Sequence, residues 1–124
     1  MPKRVLVING PNLNMLGIRE PKVYGSQTLR DIEAMCIAEG KRLGLTVECR
    51  QTNREGEICE WIQQAYGKQD AIVLNPGGYS HTSVAIRDAI SAVGIPTIEV
   101  HLSNTNAREE FRHFSYVSAV AVGV

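Results

Sequence analysis

The sequence lacks the motifs that mark the commonest nucleotide-binding and nucleophilic sites. Neither GxGxxG nor GxxxxGK(S/T) occurs, so we expect no dinucleotide site and no Walker-type phosphate site. GxSxG is also absent, and Ser80 and His81 are adjacent, which is poor geometry for a nucleophile and its base. Schiff-base chemistry needs a lysine in the site. The four lysines lie in a loop or at the ends of predicted elements: Lys3, Lys22, Lys41 and Lys68.

Cysteines and long apolar runs are also scarce. The three cysteines, Cys36, Cys49 and Cys59, are odd in number, lack CxxC spacing and fall within apolar patterns, so we interpret them as reduced packing residues. No histidine stands at metal-ligand spacing from another histidine or from a cysteine, and we expect no metal. The apolar run near the start is too short for a signal peptide, and no stretch approaches a membrane span. We therefore expect a cytoplasmic protein.

The charge of the chain is balanced. Thirteen basic residues offset thirteen acidic ones, which argues against a broad surface for nucleic acid or for a membrane. At 124 residues and 44% hydrophobic content, the chain is expected to form one globular domain over residues 1–124. The predicted partner is a small molecule bound at one place.

Predicted strands and helices alternate along the chain. Helix-start signals occur at Thr28-x-x-Asp31, Asn53, Ser83 and Asn106-x-x-Glu109. Apolar and alternating runs predict five strands, at 5–8, 45–51, 71–74, 97–102 and 117–124. This order predicts an α/β fold: a flavodoxin-like three-layer sandwich with a five-stranded parallel sheet in the order 2-1-3-4-5.

Polar residues cluster where three of these strands end, at 9–14, 75–82 and 101–103. In a sheet of this order, ligands bind beyond the carboxyl ends of the strands, where the order reverses between the first and the third. The loop over 9–25 is too long for a simple connection, and two glycines bracket its reactive side chains, Arg19 and Tyr24. We interpret it as a hinged lid over a single crevice.

Acid–base chemistry on a small anion fits this crevice. Glu99 lies two residues before His101 on one strand face, where a carboxylate can orient the ring or raise its pKa. Arg108 and Arg112 are four residues apart and can bind a carboxylate together. Taken singly, His101 is equally compatible with a structural role, and each arginine with a surface ion pair.

Three segments of the chain carry a family resemblance: NGPNLNMLGIREPKVYG, NPGGYSHTSVAIRD and EVHLSNTNAREEFRH. Together they closely resemble the type II 3-dehydroquinate dehydratases, and the similarity runs over the whole chain. The resemblance implies a lyase without a cofactor that removes water from 3-dehydroquinate to give 3-dehydroshikimate. The implied reaction is an anti elimination through an enolate, in the shikimate pathway of aromatic amino acid biosynthesis or in the quinate pathway.

The resemblance also implies the roles of individual residues. Tyr24 matches the base, with Arg19 and Arg108 supplying positive charge beside it. His101, oriented by Glu99, matches the acid, and Asn12 matches the residue that holds a water at the enolate oxygen. The implied substrate-binding groups are the backbone amides of Leu102 and Ser103. The side chains of Asn75, His81 and Arg112 are implied to bind the substrate as well.

Assembly is implied as well. Asp88 matches a residue contributed across a subunit contact, and the family forms trimers packed into dodecamers. The resemblance leads us to expect a glycine-rich turn and a terminal helix beyond Val124, so one face of the last strand should be uncovered. Phe114 and Arg54 depart from the family, which often has histidine at the first position and histidine or tyrosine at the second.

Two other classes of protein stay open on the residues alone. One is a non-enzymatic flavodoxin-like module, although a receiver needs clustered aspartates and a flavin module needs a hydroxyl-rich loop after the first strand. The other is an unrelated lyase or isomerase acting on another small hydroxy acid. Protection from thermal unfolding by particular carboxylates separates these classes, because a true ligand stabilises the folded state by mass action.

Overall fold

The computed structural model describes residues 2–18, 27–102 and 109–124. Within these ranges the strands are β1 (Lys3–Asn9), β2 (Leu45–Gln51), β3 (Ala71–Asn75) and β4 (Thr97–Glu99). The α-helices are α1 (Leu29–Arg42), α2 (Glu55–Gln64) and α3 (Val84–Val93). Short 3₁₀ helices follow β1 at Leu13–Met15 and β3 at Gly77–His81, and a third lies near the start of the last described range, at Glu110–His113.

The sheet is parallel, with the strand order β2-β1-β3-β4. This agrees with the predicted fold and with the predicted order of its first four strands. The strand predicted over 117–124 is reduced to one parallel bridge between Ile98 and Gly123, and β4 ends at Glu99 instead of at residue 102. Local hydrogen bonds compete with the ladder here, because the Ser118 backbone N–H donates to the Ser115 hydroxyl and the chain turns.

Two of the predicted helix starts are confirmed, and one is wrong. The Thr28 and Asp31 side chains each accept a hydrogen bond from the other's backbone N–H, and the Ser83 hydroxyl accepts one from the Ile86 N–H at 2.9 Å. Asn53 does not cap α2. Its Oδ1 instead accepts the backbone N–H of Asn12 at 3.0 Å, because the loop after β1 lies against it. The cap predicted at Asn106 lies outside the described residues.

The hydrophobic core lies between one face of the sheet and the helices α2 and α3. Leu6, Ile8, Ile72 and Leu74 of the central strands are buried there against two isoleucines of each helix: Ile58, Ile62, Ile86 and Ile90. Burial of each such side chain contributes about 1.5–3 kcal/mol. The core therefore holds the two central strands, whose carboxyl ends carry the polar clusters.

The opposite face of the sheet is partly open. An apolar groove of about 340 Å³ lies there. It is lined by Met35 of α1, by Leu43 just after that helix, and by valines of three neighbouring strands: Val5, Val7, Val47 and Val73. Met35 and Leu43 are more than half exposed, although they continue the apolar stripe of α1. Ile98 of β4 is 46% exposed beside Val73.

The three cysteines are free and partly buried. Burial is the main cause that raises the pKa of each thiol, and it raises that of Cys49 to about 11, with help from Cys36 and two nearby glutamates. None of the helices in the described ranges has the length and the apolar character required to cross a membrane.

Cys49 should therefore react slowly with alkylating reagents. Relative to a thiol of pKa 9.0, its thiolate population at pH 8 is about 100-fold lower, because each pKa unit is a factor of ten. Peptide mass spectrometry after iodoacetamide treatment measures the rate, and urea-unfolded chain is the control. Equal rates in the folded and the unfolded chain would contradict the assignment.

Gly10 allows the backbones after β1 and β3 to touch. Its N–H donates to the Asn75 carbonyl at 2.8 Å, and a Cβ at this position would lie 2.8 Å from the Pro76 oxygen. Gly10→Ala should lower the free energy of unfolding by about 1–3 kcal/mol, because two backbones must separate. Gly56→Ala in α2 is the matched control, since a Cβ there meets nothing within 4 Å.

Urea denaturation of both variants gives the comparison. Gly56→Ala should be neutral or stabilising by up to about 1 kcal/mol, because alanine loses less backbone entropy on folding. If both substitutions change the stability equally, the close approach at Gly10 does not constrain the fold.

Candidate active site

The polar clusters meet at the carboxyl edge of the sheet, as their places after the strands predict. Asn9 and Asn75 are register partners at the ends of β1 and β3, and Leu74 of β3 pairs with Glu99 of β4. The segment after β4 is tied back to β3, because the Val100 N–H donates to the Leu74 carbonyl at 2.8 Å. The loops that follow these strands therefore share one edge.

Asn12 is held in an unusual backbone conformation by its neighbours. Its φ of 70° lies in the left-handed region, and its N–H donates to Asn53 Oδ1. The Gln51 amide donates to the same Oδ1 at 3.2 Å and to the Gly10 carbonyl at 3.2 Å. The Tyr79 hydroxyl donates to the Asn53 carbonyl at 2.8 Å, which joins the loops after β2 and β3. No sequence motif indicates this role for Gln51, and Asn53 was predicted to cap α2 instead.

Asn75 starts a tight turn. Its Oδ1 accepts the Gly77 N–H at 3.1 Å, and Gly77 has a φ of 59°, a conformation that favours glycine. The Asn75 amide nitrogen forms no hydrogen bond within the described residues. It is thus a donor that remains for a ligand at the strand end.

Glu99 and His101 form a buried pair, as their spacing suggests. Glu99 is fully buried, the His101 side chain is 17% exposed, and Nε2 of the ring contacts Oε2 of the carboxylate. On most strands the apolar side chains are buried and the polar ones are exposed. In β4 the reverse holds, because the polar residues Thr97 and Glu99 are buried while Ile98 is half exposed. The polar side is buried because it finds hydrogen-bond partners there.

Two serines that sequence analysis did not consider complete this cluster. The Ser115 hydroxyl donates to Glu99 Oε2 at 2.9 Å, and the Ser118 hydroxyl donates to Oε1. Burial tends to raise the pKa of the Glu99 carboxyl, but hydrogen bonds from His101 and from both serines outweigh it and hold that pKa below its usual value. Glu99 is consequently an anion at neutral pH. The sequence offers no signal for this contact, because two serines three residues apart do not indicate a distant carboxylate.

The charge of Glu99 determines the role of the His101 ring. An ionised carboxylate only accepts hydrogen bonds, so Nε2 must carry the proton that lies between them. Nδ1 forms no hydrogen bond within the described part of the chain. The ring thus has a second nitrogen that can exchange a proton with a ligand.

His81 and Arg112 meet around one aromatic ring. His81 Nδ1 donates to the Phe114 carbonyl at 2.7 Å, and its ring packs edge-on against Phe111 with centroids 5.9 Å apart. The Arg112 guanidinium lies 4.8 Å from the centre of the same ring and pairs with Glu109. His81 thus contacts the backbone of Phe114, and this hydrogen bond does not depend on which side chain stands at position 114.

The remaining predicted site residues are not brought together by the described structure. Asp88 lies on the exposed face of α3 and forms no hydrogen bond or ion pair with another described residue. Leu102 is 38% exposed just after the last strand. Arg19, Tyr24, Ser103 and Arg108 lie outside the described residues. In the described ranges, no three His, Cys, Asp or Glu side chains converge as metal ligands.

Comparison with known proteins gives a consistent result. The family model described as dehydroquinase class II matches residues 3–124. The chain is 59% identical to catabolic 3-dehydroquinase 1 of Aspergillus terreus and 56% identical to 3-dehydroquinate dehydratase 2 of Pseudomonas aeruginosa. Both matches cover the whole chain and 82% and 84% of the relatives. The type II dehydroquinase structure from Butyrivibrio crossotus superposes with a TM-score of 0.96 at 50% identity, over 98% of this chain and 86% of that one.

The lowered pKa of Glu99 predicts a pH-dependent contribution to stability. Because this pKa lies below the unfolded value of about 4.5, the ionised carboxylate stabilises the fold above pH 4.5. The contribution disappears as the pH falls through the folded pKa. Glu99→Gln should cost about 1–3 kcal/mol at pH 7, because an acceptor of three hydrogen bonds is replaced by an amide.

Urea denaturation at a series of pH values measures this difference. The gap in unfolding free energy between the parent and Glu99→Gln should narrow as the pH falls below 4.5. A gap that widens on acidification would show that Glu99 is protonated in the folded chain.

Proposed function

The chain belongs to the class II dehydroquinase family, and we propose that its crevice dehydrates 3-dehydroquinate to 3-dehydroshikimate with the residues named below. The enzyme is a hydro-lyase of the shikimate or the catabolic quinate pathway. The single observation that carries the proposal is the buried Glu99–His101 pair at the carboxyl edge of the sheet. It supplies a proton donor held by a fixed anion.

The reaction needs three groups. A base removes a proton from the carbon next to the ketone, and the electron pair moves onto the ketone oxygen to form an enolate. The enolate then expels the hydroxyl on the neighbouring carbon, an acid gives that oxygen a proton, and water leaves. The product is a conjugated enone. A third group stabilises the negative oxygen while the enolate exists.

His101 is the proposed acid. In its charged form, Nε2–H donates to Glu99 and Nδ1–H is available to the departing hydroxyl. Burial of both groups strengthens the electrostatic attraction between the Glu99 carboxylate and a ring that carries the proton to be donated. This role requires contact between Nδ1 of His101 and the departing hydroxyl of the substrate.

Tyr24 is the proposed base, on the strength of its match to the family motif. An isolated tyrosine has a pKa of about 10, so ionisation near pH 7 requires about 4 kcal/mol of stabilisation. Arg19 and Arg108, which also match the family motifs, are proposed to supply this stabilisation through their positive charges. Closure of the lid would strengthen this effect by excluding water.

The proposed substrate contacts use groups at the strand ends. Asn12 is proposed to hold a water at the enolate oxygen, and its fixed conformation supports this role. The Asn75 amide, which has no hydrogen-bond partner among the described residues, is proposed to bind the ring hydroxyls together with His81 and Arg112. The backbone amides of Leu102 and Ser103 are proposed to bind the carboxylate.

We also propose that the enzyme assembles as trimers packed into a dodecamer. The exposed position of Asp88 on α3 supports a contact with a neighbouring subunit, because the side chain has no partner in its own described chain. Phe111 and Phe114, each about 60% exposed, provide apolar surface near the site. A cytoplasmic location is supported by the three free thiols.

Turnover of 3-dehydroquinate tests the assignments, followed by the ultraviolet absorbance of the enone. The parent should turn over, and Tyr24→Phe and His101→Ala should each lower kcat by about 10²–10⁴-fold, the usual contribution of a general acid or base. Tyr66→Phe and His113→Ala are matched controls, because both side chains are exposed and lie outside the proposed site.

Three outcomes are informative. Loss of activity in the two site variants but not in the controls supports the assigned base and acid. An active parent whose His101→Ala variant keeps full activity would remove His101 from the mechanism. An inactive parent that other small hydroxy acids protect from thermal unfolding, while 3-dehydroquinate does not, would favour the unrelated lyase or isomerase.

A further inference from the structure

The turn segment over residues 115–123 encloses the Glu99 carboxylate. Each carboxylate oxygen has one serine hydroxyl, Ser118 on Oε1 and Ser115 on Oε2, and Oε2 also has the His101 ring. The Glu99 backbone N–H donates to the Gly123 carbonyl at 2.9 Å, so the same segment binds both the main chain and the side chain of Glu99. The carboxylate, which is fully buried, has three protein donors around it.

The two serines are themselves held in place. The Ser118 N–H donates to the Ser115 oxygen at 3.2 Å, which occupies a lone pair and leaves the Ser115 hydroxyl proton for Glu99. Between them, the Val117 side chain is completely buried in the core. At the start of the turn segment, the Tyr116 N–H donates to the Ser80 carbonyl at 2.8 Å. The hydroxyls therefore approach Glu99 from fixed positions.

A buried anion needs such donors. Without hydrogen bonds, burial favours the neutral carboxylic acid, and a proton then resides on Glu99 instead of on the His101 ring. A neutral Glu99 could also rotate its hydroxyl proton towards Nε2, which would leave the ring with the wrong tautomer. Two hydroxyls that donate to the carboxylate oppose both changes, because they stabilise only the charged form.

We propose that Ser115 and Ser118 are positioning residues of the active site, whose hydroxyls keep Glu99 charged and thereby keep a proton on Nε2 of His101. They act through Glu99 and need no contact with the substrate. The inference rests on the proposed function only where it makes His101 the acid. The state of Glu99 itself follows from the hydrogen bonds of the described chain.

Few groups in the described ranges act on the Glu99 carboxyl. Its register neighbour on β3 is Leu74, and the turn segment presents serines and Val117. In the described part of the chain, the groups that act on the Glu99 carboxyl are His101, Ser118 and Ser115, in addition to burial. His101 is the one titratable group among them. A change in the titration of Glu99 in a serine variant can therefore be assigned to the missing hydroxyl.

The test combines a direct titration with a pH profile, on the full chain in its native assembly. Carboxyl ¹³C NMR of glutamate-labelled protein follows Glu99, assigned through Glu99→Gln. Ser118→Ala and Ser115→Ala should each raise the Glu99 pKa by about one to two pH units, the shift that corresponds to loss of a hydrogen bond to a charged group. The acidic limb of kcat for 3-dehydroquinate should move upward with it, while KM changes little.

Matched variants separate positioning from packing. Ser118→Thr keeps a hydroxyl and should retain the parent titration, and Ser91→Ala on the exposed face of α3 should change nothing. If an alanine variant does not fold, serine-to-cysteine at the same position fills the space with a weaker donor and should shift the Glu99 pKa in the same direction.

A Glu99 pKa that stays at the parent value in both serine variants would overturn the proposal, even if the variants are less stable or less active. A parent that does not turn over 3-dehydroquinate would instead reject the proposed function. In that case the NMR titration still decides whether the serines hold Glu99 in its charged form.

Discussion

The burial of one ionised carboxylate constrains this end of the molecule. Glu99 has no access to water, so its charge must be balanced by protein groups, and it receives three donors from two segments. Two of these donors come from the turn segment over residues 115–123, which stands where a fifth strand was predicted. The need to balance this charge explains why a polar strand face is buried. The Glu99–His101 pair and the local fold are therefore one arrangement.

The sheet provides the second constraint, because its parallel topology brings distant polar residues to one edge. Close backbone contact at Gly10 and the turn at Asn75 join the ends of β1 and β3, while Asn53 and Gln51 hold the Asn12 loop from β2. The buried core lies on the α2 and α3 side of the sheet, whereas the α1 side retains an open apolar groove. The core holds the two central strands whose carboxyl ends carry the polar loops.

Sequence reasoning succeeded where the signal was local or repeated. The strand order, the Thr28 and Ser83 caps and the Glu99–His101 pair all follow from short-range patterns, and the family follows from three separate motifs. It failed where a tertiary contact outweighed the local signal: Asn53 turned from α2 to the Asn12 loop, and an apolar run at the end of the chain became turns. Ser115 and Ser118 were missed because two serines carry no sign of a carboxylate sixteen and nineteen residues away.

An ionised Glu99 beside His101 requires a proton on Nε2 of the ring. Long-range ¹H–¹⁵N NMR of histidine-labelled protein measures this directly, because protonated and bare ring nitrogens have well-separated shifts, with His101→Ala providing the assignment. We expect a protonated Nε2 in the ligand-free enzyme from pH 6 to 8, whether or not Nδ1 is also protonated. A bare Nε2 facing Glu99 would require a neutral carboxylic acid that donates to the ring, and would show that Glu99 is not ionised.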